Sequence, residues 1–251
     1  MSEIQKLMLS MFISLRVGVG IVGIALPIVL VGAGGFLGVP LAGTMSAYYH
    51  ANRDCAMPDQ NSCADKGNHQ QPCANTAPGQ GPMRNWFVGS MFFMGAAMFL
   101  IKGFSRVEDW VLNIAGVAAA GVALIPMSWP CQLPYPSPHF VCAAIFFFCV
   151  AFTCIFCSRK TLKEMPPAPD RERVIRHYRN VYRFLAFLMV ALPVAGWVTA
   201  YNSGHQSLAL ETGGVWAFGI YWLVKTRELK HSDVERRIMN GQLEMNPRTL
   251  R

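Results

Sequence analysis

Charged residues are scarce in this sequence. Lys, Arg, Asp and Glu make up 14% of its 251 residues, against 53% hydrophobic residues. Soluble domains usually carry about a quarter charged residues, so this scarcity indicates a membrane protein. Acidic residues are the rarer kind, which leaves a net charge of +8. We nevertheless predict no nucleic-acid partner, because the sequence has no aromatic-interleaved basic groove and no known nucleic-acid-binding fingerprint.

The sequence also lacks the alternating polar and apolar residues of a transmembrane β-barrel. Its apolar residues form six long runs instead. These runs predict an all-α, polytopic integral membrane protein with six transmembrane helices in one domain, residues 1–240. A span needs about 17–25 residues, and three of the runs reach that length only with flanking residues. The predicted spans are residues 17–39, 86–103, 111–127, 139–157, 184–201 and 208–225.

Lys and Arg are almost absent from one side of this predicted bundle. If the chain crosses at each span, 19 of the 22 basic residues fall on one side, and only Arg53, Lys66 and Arg84 fall on the other. Basic loops remain in the cytoplasm, so both termini and the tail, residues 241–251, are predicted to be cytoplasmic. The polar loop at residues 44–85 is then periplasmic, and the protein is predicted to lie in the cell inner membrane.

Two segments on the predicted cytoplasmic side are rich in charge. Residues 170–183 read DRERVIRHYRNVYR. This pattern indicates either an amphipathic helix on anionic headgroups or a solvated extension of the fifth span. Residues 225–237 alternate in charge, which predicts a helical extension of the last span. Membrane lipids are therefore expected partners.

The eight cysteines divide into two groups of four. One group falls in the predicted outward loops, where an even number suggests two disulfides in an oxidising space. A metal site is the alternative there, because thiolate and imidazole suit zinc, but the loop has no compact C-x-x-C knuckle. The other group lies on the fourth span and includes a C-x-x-C pair, which is either a redox or metal pair or ordinary small apolar packing. The outward cysteines are Cys55, Cys63, Cys73 and Cys131, and the others are Cys142, Cys149, Cys154 and Cys157.

Small residues recur in the first predicted span. Gly34-x-x-x-Gly38 has the spacing that allows two helices to approach closely in lipid. The alternative is a glycine-rich, flexible span without a specific partner.

Four polar residues stand near the predicted outward ends of the spans. Ser46 and His50 are one helical turn apart, and they share a face if the first helix continues past Pro40. His139 begins the fourth span, and Glu211 lies about one turn inside the sixth. A carboxylate at such a depth normally faces a cavity or a partner.

Two histidines and a carboxylate with an open position can form a hydrolytic metal site. We therefore predict that His50, His139 and Glu211 bind zinc, with Glu211 also acting in catalysis. Ser46 and Arg84 would orient these groups or stabilise developing negative charge, and Arg84 could also pair with Glu211. No HExxH-type motif is present, so a structural polar cluster and a ligand or ion pathway both remain as alternatives.

The Ser46-x-x-x-His50 motif resembles the serine and histidine motif of the alkaline ceramidase and adiponectin-receptor-like membrane hydrolases. That resemblance implies zinc and the cleavage of lipid amides. Members of that superfamily usually have seven spans, a membrane aspartate and a late H-x-x-x-H pair, whereas this sequence has six runs, Asn85 and no such pair. The segments SAYYH, RNWFVG and AFGIYWLVK also resemble those of uncharacterised bacterial polytopic membrane proteins.

The sequence thus predicts an outward-facing polar pocket that handles a lipid or amphiphile, with metal-dependent hydrolysis as its chemistry. The alternative is a non-catalytic assembly factor or accessory subunit that docks a membrane-protein partner through the loop at residues 44–85. The two interpretations differ in whether His50, His139 and Glu211 converge.

Overall fold

The computed structural model describes residues 2–53, 81–127, 137–203 and 207–243. Within these ranges the secondary structure is helical and contains no β-strand, as the all-α prediction requires. A 3₁₀ turn covers Ser46–Tyr49, and a π-helix covers Thr153–Cys157. The α-helices are α1 (Glu3–Phe36), α2 (Arg84–Leu100), α3 (Arg106–Leu124), α4 (Pro138–Phe152), α5 (Ser158–Lys163), α6 (Arg171–Ser203), α7 (Leu208–Ser232) and α8 (Val234–Met239).

The six longest helices form a closed ring around one hydrophobic core. Neighbouring helices pack in the order α1, α2, α3, α4, α6 and α7, and α7 packs against α1 again. Because the ring has six members, α3 and α7 stand opposite each other. Side chains from both helices therefore point toward a shared interior.

Four helical segments are long and apolar enough to cross a membrane: Glu3–Phe36, Arg106–Leu124, Pro138–Lys163 and Arg171–Thr199. Large apolar side chains cover their outer faces, and Trp110, Phe148 and Phe187 are each more than 60% exposed. Exposed apolar surface of this extent marks contact with a membrane or a protein partner.

The first helix differs from the prediction at both ends. It begins at Glu3, because Ser2 and Gln5 form a capping box that satisfies its first amide groups. It ends at Phe36 and does not continue past Pro40, since Gly38 takes a positive φ of 78°. Ser46 therefore begins a separate 3₁₀ turn, and His50 follows that turn as its C-cap; neither belongs to an extension of α1.

Close helix contacts form at glycines other than the predicted pair. A Cβ built on Gly219 of α7 would lie 2.8 Å from the carbonyl oxygen of Gly20 on α1. A Cβ on Gly95 of α2 would lie 2.7 Å from the carbonyl oxygen of Gly116 on α3. Gly34 instead lies against the side chain of Tyr48. The small residues thus set the approach of α1 to α7 and of α2 to α3.

Candidate functional site

The predicted site residues lie at one end of the ring, where α1 and α3 finish and α2, α4 and α7 begin. We call this end the Ser46 end. The chain between α1 and α2 crosses it and binds the start of α7. The amide of Leu208 donates to the carbonyl of Gly43 over 2.8 Å. The crossing segment is therefore fixed to α7 just before the 3₁₀ turn.

Glu211 anchors the start of that turn. Its Oε2 accepts a hydrogen bond from the amide of Met45 over 2.9 Å, and its Oε1 accepts one from the hydroxyl of Ser207 over 2.9 Å. Met45 immediately precedes Ser46, so the carboxylate holds the backbone from which Ser46 projects. Both carboxylate oxygens thus have donors in this arrangement.

Ser46 and His139 form a direct hydrogen bond. The hydroxyl oxygen of Ser46 lies 2.8 Å from Nε2 of His139. The other ring nitrogen, Nδ1, lies 2.7 Å from the carbonyl oxygen of Ile125. A carbonyl oxygen can only accept, so Nδ1 carries the proton in the neutral imidazole and Nε2 accepts from the serine hydroxyl.

The N-terminus of α4 fixes the position of His139. Ser137 caps the helix by accepting from the amide of Phe140, and Pro138 occupies the first helical position. Proline is favoured there because that amide has no intrahelical partner. His139 is only 6% exposed, so its ring is held by packing as well as by its two hydrogen bonds.

His50 binds the chain that follows α3. Its Nε2 lies 3.0 Å from the carbonyl oxygen of Met127. Burial lowers the pKa of His50 below its ordinary value, the positive charge of Arg84 lowers it further, and the Met127 carbonyl opposes both. The neutral imidazole of His50 is therefore favoured over the charged form. His50 and His139 thus both bind carbonyl groups of residues that follow α3. Carbonyls at the C-terminal end of a helix have no acceptor role within the helix, so side chains can bind them.

Arg84 is the first residue of α2 and is exposed. Its guanidinium group lies over the ring of Tyr49, 4.9 Å from the ring centre. Within the described ranges, no ion pair joins it to Glu211. Arg84 thus places a positive charge beside the 3₁₀ turn.

The predicted metal ligands have other partners in this arrangement. In the part of the chain that the structure describes, no three His, Cys, Asp or Glu side chains are grouped to hold a metal ion. Both ring nitrogens of His139 and both oxygens of Glu211 take part in hydrogen bonds. The donor set does not fit a zinc ion as it stands, and we derive no step through one. Zinc binding stays a prediction.

The cysteine predictions divide between described and undescribed residues. Cys55, Cys63, Cys73 and Cys131, with His69, lie outside the described residues, and so does most of the loop at residues 44–85. Cys142, Cys149, Cys154 and Cys157 are free thiols. Both disulfide formation and the alternative metal site in the loop therefore stay predictions.

Sequence reasoning missed two features. It paired Ser46 with His50, whereas the Ser46 hydroxyl binds His139. Ser46 and His139 are far apart in the sequence, and they meet only because α4 packs against the crossing segment. It also missed a buried ionic cluster at the opposite end of the ring, which includes Lys225 and Glu228 on α7. Their spacing of three residues was a signal for an ion pair, but it did not indicate burial.

No protein-family model, no curated protein and no solved structure matches this chain. The resemblance to ceramidase-like membrane hydrolases therefore rests on Ser46 and His50 alone.

Proposed function

We propose that this protein is an inner-membrane hydrolase whose site at the Ser46 end cleaves an ester or amide bond of a lipid or other amphiphile. One observation carries the proposal: the Ser46 hydroxyl donates to His139 Nε2 while the Ile125 carbonyl holds Nδ1–H. A nucleophile bound to a base, with the base oriented by a third group, is the arrangement of serine-dependent acyl transfer.

The charge distribution supports an outward-facing site. With six spans, 19 of the 22 basic residues fall on the side opposite the Ser46 end. The positive-inside rule then puts both termini in the cytoplasm and the loop at residues 44–85 in the periplasm. Four of the six ring helices qualify as spans by length and composition, and α2 and α7 complete the ring.

The proposed reaction uses water as its second substrate. Ser46 Oγ attacks the carbonyl carbon, and its proton moves to His139 Nε2. The bond to the leaving alcohol or amine then breaks, and the leaving group takes that proton. Water, deprotonated by the same imidazole, attacks the acyl-serine. The bond between the acyl carbon and Ser46 Oγ then breaks, Oγ takes the proton back from the imidazole, and the carboxylic acid leaves.

The neighbouring charged groups have supporting roles in this proposal. Glu211 positions Ser46 through the Met45 amide. Arg84 supplies positive charge beside the turn, where it can stabilise the negative oxygen that forms when Ser46 attacks. The position of the site at a membrane boundary favours an amphiphile, whose polar group reaches Ser46 while its tail remains in lipid.

The second candidate is a non-catalytic accessory or assembly protein. The hydrogen bonds of the histidines favour it, because His139 and His50 both tie the chain that follows α3 to neighbouring elements. These hydrogen bonds would keep the Ser46 end rigid, so that the loop at residues 44–85 can dock a membrane-protein partner. This candidate predicts a folded protein without esterase activity.

Hydrolysis of p-nitrophenyl esters of graded chain length by the detergent-solubilised protein tests the proposal. We expect turnover to prefer longer acyl chains and to fall at least 100-fold in both Ser46→Ala and His139→Gln. Ser90→Ala, which changes a serine on α2 away from the site, is the matched control and keeps full activity. A wild type without turnover, or a Ser46→Ala variant with wild-type turnover, would support the accessory role. Metal analysis of the same sample tests zinc binding independently.

A further inference from the structure

The end of the ring opposite Ser46 contains buried charged residues whose charges do not balance. Glu108 of α3 is 4% exposed, Lys225 of α7 is 2% exposed, and Glu228 of α7 is fully buried. We call these three residues, together with Thr161 and Tyr182, the Lys225 cluster. If all three ionisable groups are charged, two carboxylates face one ammonium group and the cluster carries one negative charge in excess.

The hydrogen bonds of the cluster converge on one oxygen of Glu228. Lys225 Nζ and the Tyr182 hydroxyl both donate to Glu228 Oε2, each over 2.6 Å. Lys225 also donates to Thr161. The other oxygen, Glu228 Oε1, is buried and has no hydrogen-bond partner among the described residues. A buried carboxylate oxygen without a donor has lost its hydration and has no hydrogen bond in exchange, so it calls for a ligand.

Glu108 completes the cluster from the other side of the ring. One oxygen of its carboxylate accepts from the Phe104 amide over 2.9 Å, and Lys225 Nζ lies 5.9 Å from the centre of the Phe104 ring. Since α3 and α7 stand opposite each other in the ring, Glu108 and Glu228 approach from opposite walls. A positive charge between them would join the two walls.

Among the residues that the structure describes, the other groups around the cluster do not supply that charge. Cys154 and Cys157 of the π-helix and Tyr221 of α7 are buried nearby and are neutral or negative. Lys160 of α5 also acts on Glu108, but it is exposed to solvent. A π-helix often marks a functional site, and here it packs against α3, α5 and α6, which carry Glu108, Thr161 and Tyr182.

We propose that the Lys225 cluster is a binding site for one small monovalent cation, either a proton or an alkali-metal ion, held between Glu228 Oε1 and Glu108. The ligand supplies the single positive charge that the cluster lacks and satisfies the unpaired oxygen. An ionisable group inside a membrane bundle commonly marks an ion or proton site. The proposal is independent of hydrolysis at the Ser46 end.

The test measures the melting temperature of the detergent-solubilised full-length protein under two titrations. The first replaces choline chloride by NaCl or KCl at constant ionic strength and pH. The second changes pH from 5 to 9 in choline chloride. Glu228→Gln removes the charge but keeps the shape, and Glu172→Gln on an exposed position of α6 is the matched control.

A sodium- or potassium-dependent rise that Glu228→Gln loses and Glu172→Gln keeps supports an alkali-ion site. If salt has no effect, a proton site predicts that the wild type gains stability relative to Glu228→Gln as pH falls. The unfolding equilibrium constant of the wild type then falls, relative to that of Glu228→Gln, by up to tenfold for each unit by which pH falls. Identical responses of the wild type and Glu228→Gln in both titrations would overturn the proposal.

Glu108→Gln is the second variant, and the same criterion applies to it if Glu228→Gln does not fold. If neither variant folds, the wild type alone decides. A melting temperature that is independent of sodium and potassium, and that does not rise as pH falls from 9 to 7, above the range in which His50 titrates, would then overturn the proposal.

Discussion

Ser46 Oγ and His139 Nε2 lie 2.8 Å apart, although 93 residues separate them in the sequence. The contact exists because the crossing segment is bound to α7 on one side and packs against the start of α4 on the other. Ser46 contributes the hydroxyl, and His139 contributes the acceptor nitrogen. The two together, with the Ile125 carbonyl on Nδ1, give the serine an acceptor for its proton.

The anchoring role of Glu211 predicts a loss of activity without a change in the reacting groups. In Glu211→Ala the Met45 amide and the Ser207 hydroxyl lose their acceptor, so Ser46 is no longer held at His139. We expect ester turnover to fall at least tenfold and stability to fall by about 1–3 kcal/mol. Ser207→Ala, which removes one of the two donors, should have a smaller effect on both. Equal activity in Glu211→Ala and wild type would show that Glu211 does not position Ser46.

The depressed pKa of His50 predicts sensitivity to acid. Folded His50 binds a proton less readily than the unfolded chain does, so the unfolded state takes up more protons below the ordinary value of 6.5. Stability is therefore complete above about pH 6.5 and falls as pH drops through that value toward the lower pKa of the folded state. His50→Gln should reduce the difference between the melting temperatures at pH 7.5 and 5.5. His177→Gln, at an exposed position of α6, should leave that difference unchanged, and an equal reduction in both variants would contradict the assignment.

The close crossing of α2 and α3 predicts a position-specific effect of alanine. A Cβ on Gly95 would meet the Gly116 carbonyl at 2.7 Å, and backbone can move only if the helices separate. Gly95→Ala should therefore destabilise the protein by about 1–3 kcal/mol, the usual cost of overpacking. Gly89→Ala on the same helix meets nothing within 4 Å and should be neutral or slightly stabilising in a thermal melt. Similar melting temperatures for the two variants would contradict the packing.

The ion pair of the Lys225 cluster predicts a strongly non-additive mutant cycle. Lys225→Met leaves the Glu228 carboxylate buried without its cation, which costs about 3–5 kcal/mol. Lys225→Met combined with Glu228→Leu removes both charges and should cost less than Lys225→Met alone. Chemical denaturation in mixed micelles measures the four corners of the cycle. A double variant whose loss of stability equals the sum of the two single losses, within about 0.5 kcal/mol, would show that the two charges are not a coupled pair.

The proposed orientation predicts which positions are reached from each side of the membrane. Asn85, exposed at the start of α2, and Arg173, exposed on α6, lie on opposite sides of the proposed bundle. A cysteine at position 85 should react with a membrane-impermeant maleimide in intact spheroplasts. A cysteine at position 173 should react only in inside-out vesicles, with the labelled peptides identified by mass spectrometry. The reverse labelling pattern would show that the orientation is opposite to the proposed one.

The helical architecture could be predicted from the sequence because long apolar runs leave few alternatives to helices in a membrane. The pairing of Ser46 with His139 could not be predicted, because it depends on where α1 stops. Gly38 with its positive φ ends the helix before Pro40 and sends the chain across the Ser46 end. The periodicity of apolar residues gives no signal for such a turn.

The Lys225 cluster could not be predicted for a different reason. Alternating charges after a span are typical of a solvated helical extension, and α7 does continue as a helix to Ser232. Lys225 and Glu228 are nevertheless buried, because α5 and α6 pack over that end of α7. The burial arises from elements far apart in the sequence, so the local pattern of charges does not indicate it.

Active-site labelling tests the central claim most directly. A fluorophosphonate reacts covalently with a serine that has an activated hydroxyl and leaves ordinary serines unmodified. We predict that the purified wild-type protein incorporates one fluorophosphonate group, that peptide mapping places it on Ser46, and that His139→Gln reduces the labelling rate at least 100-fold. A wild-type protein that stays unlabelled, or that carries the label on another serine, would contradict the account.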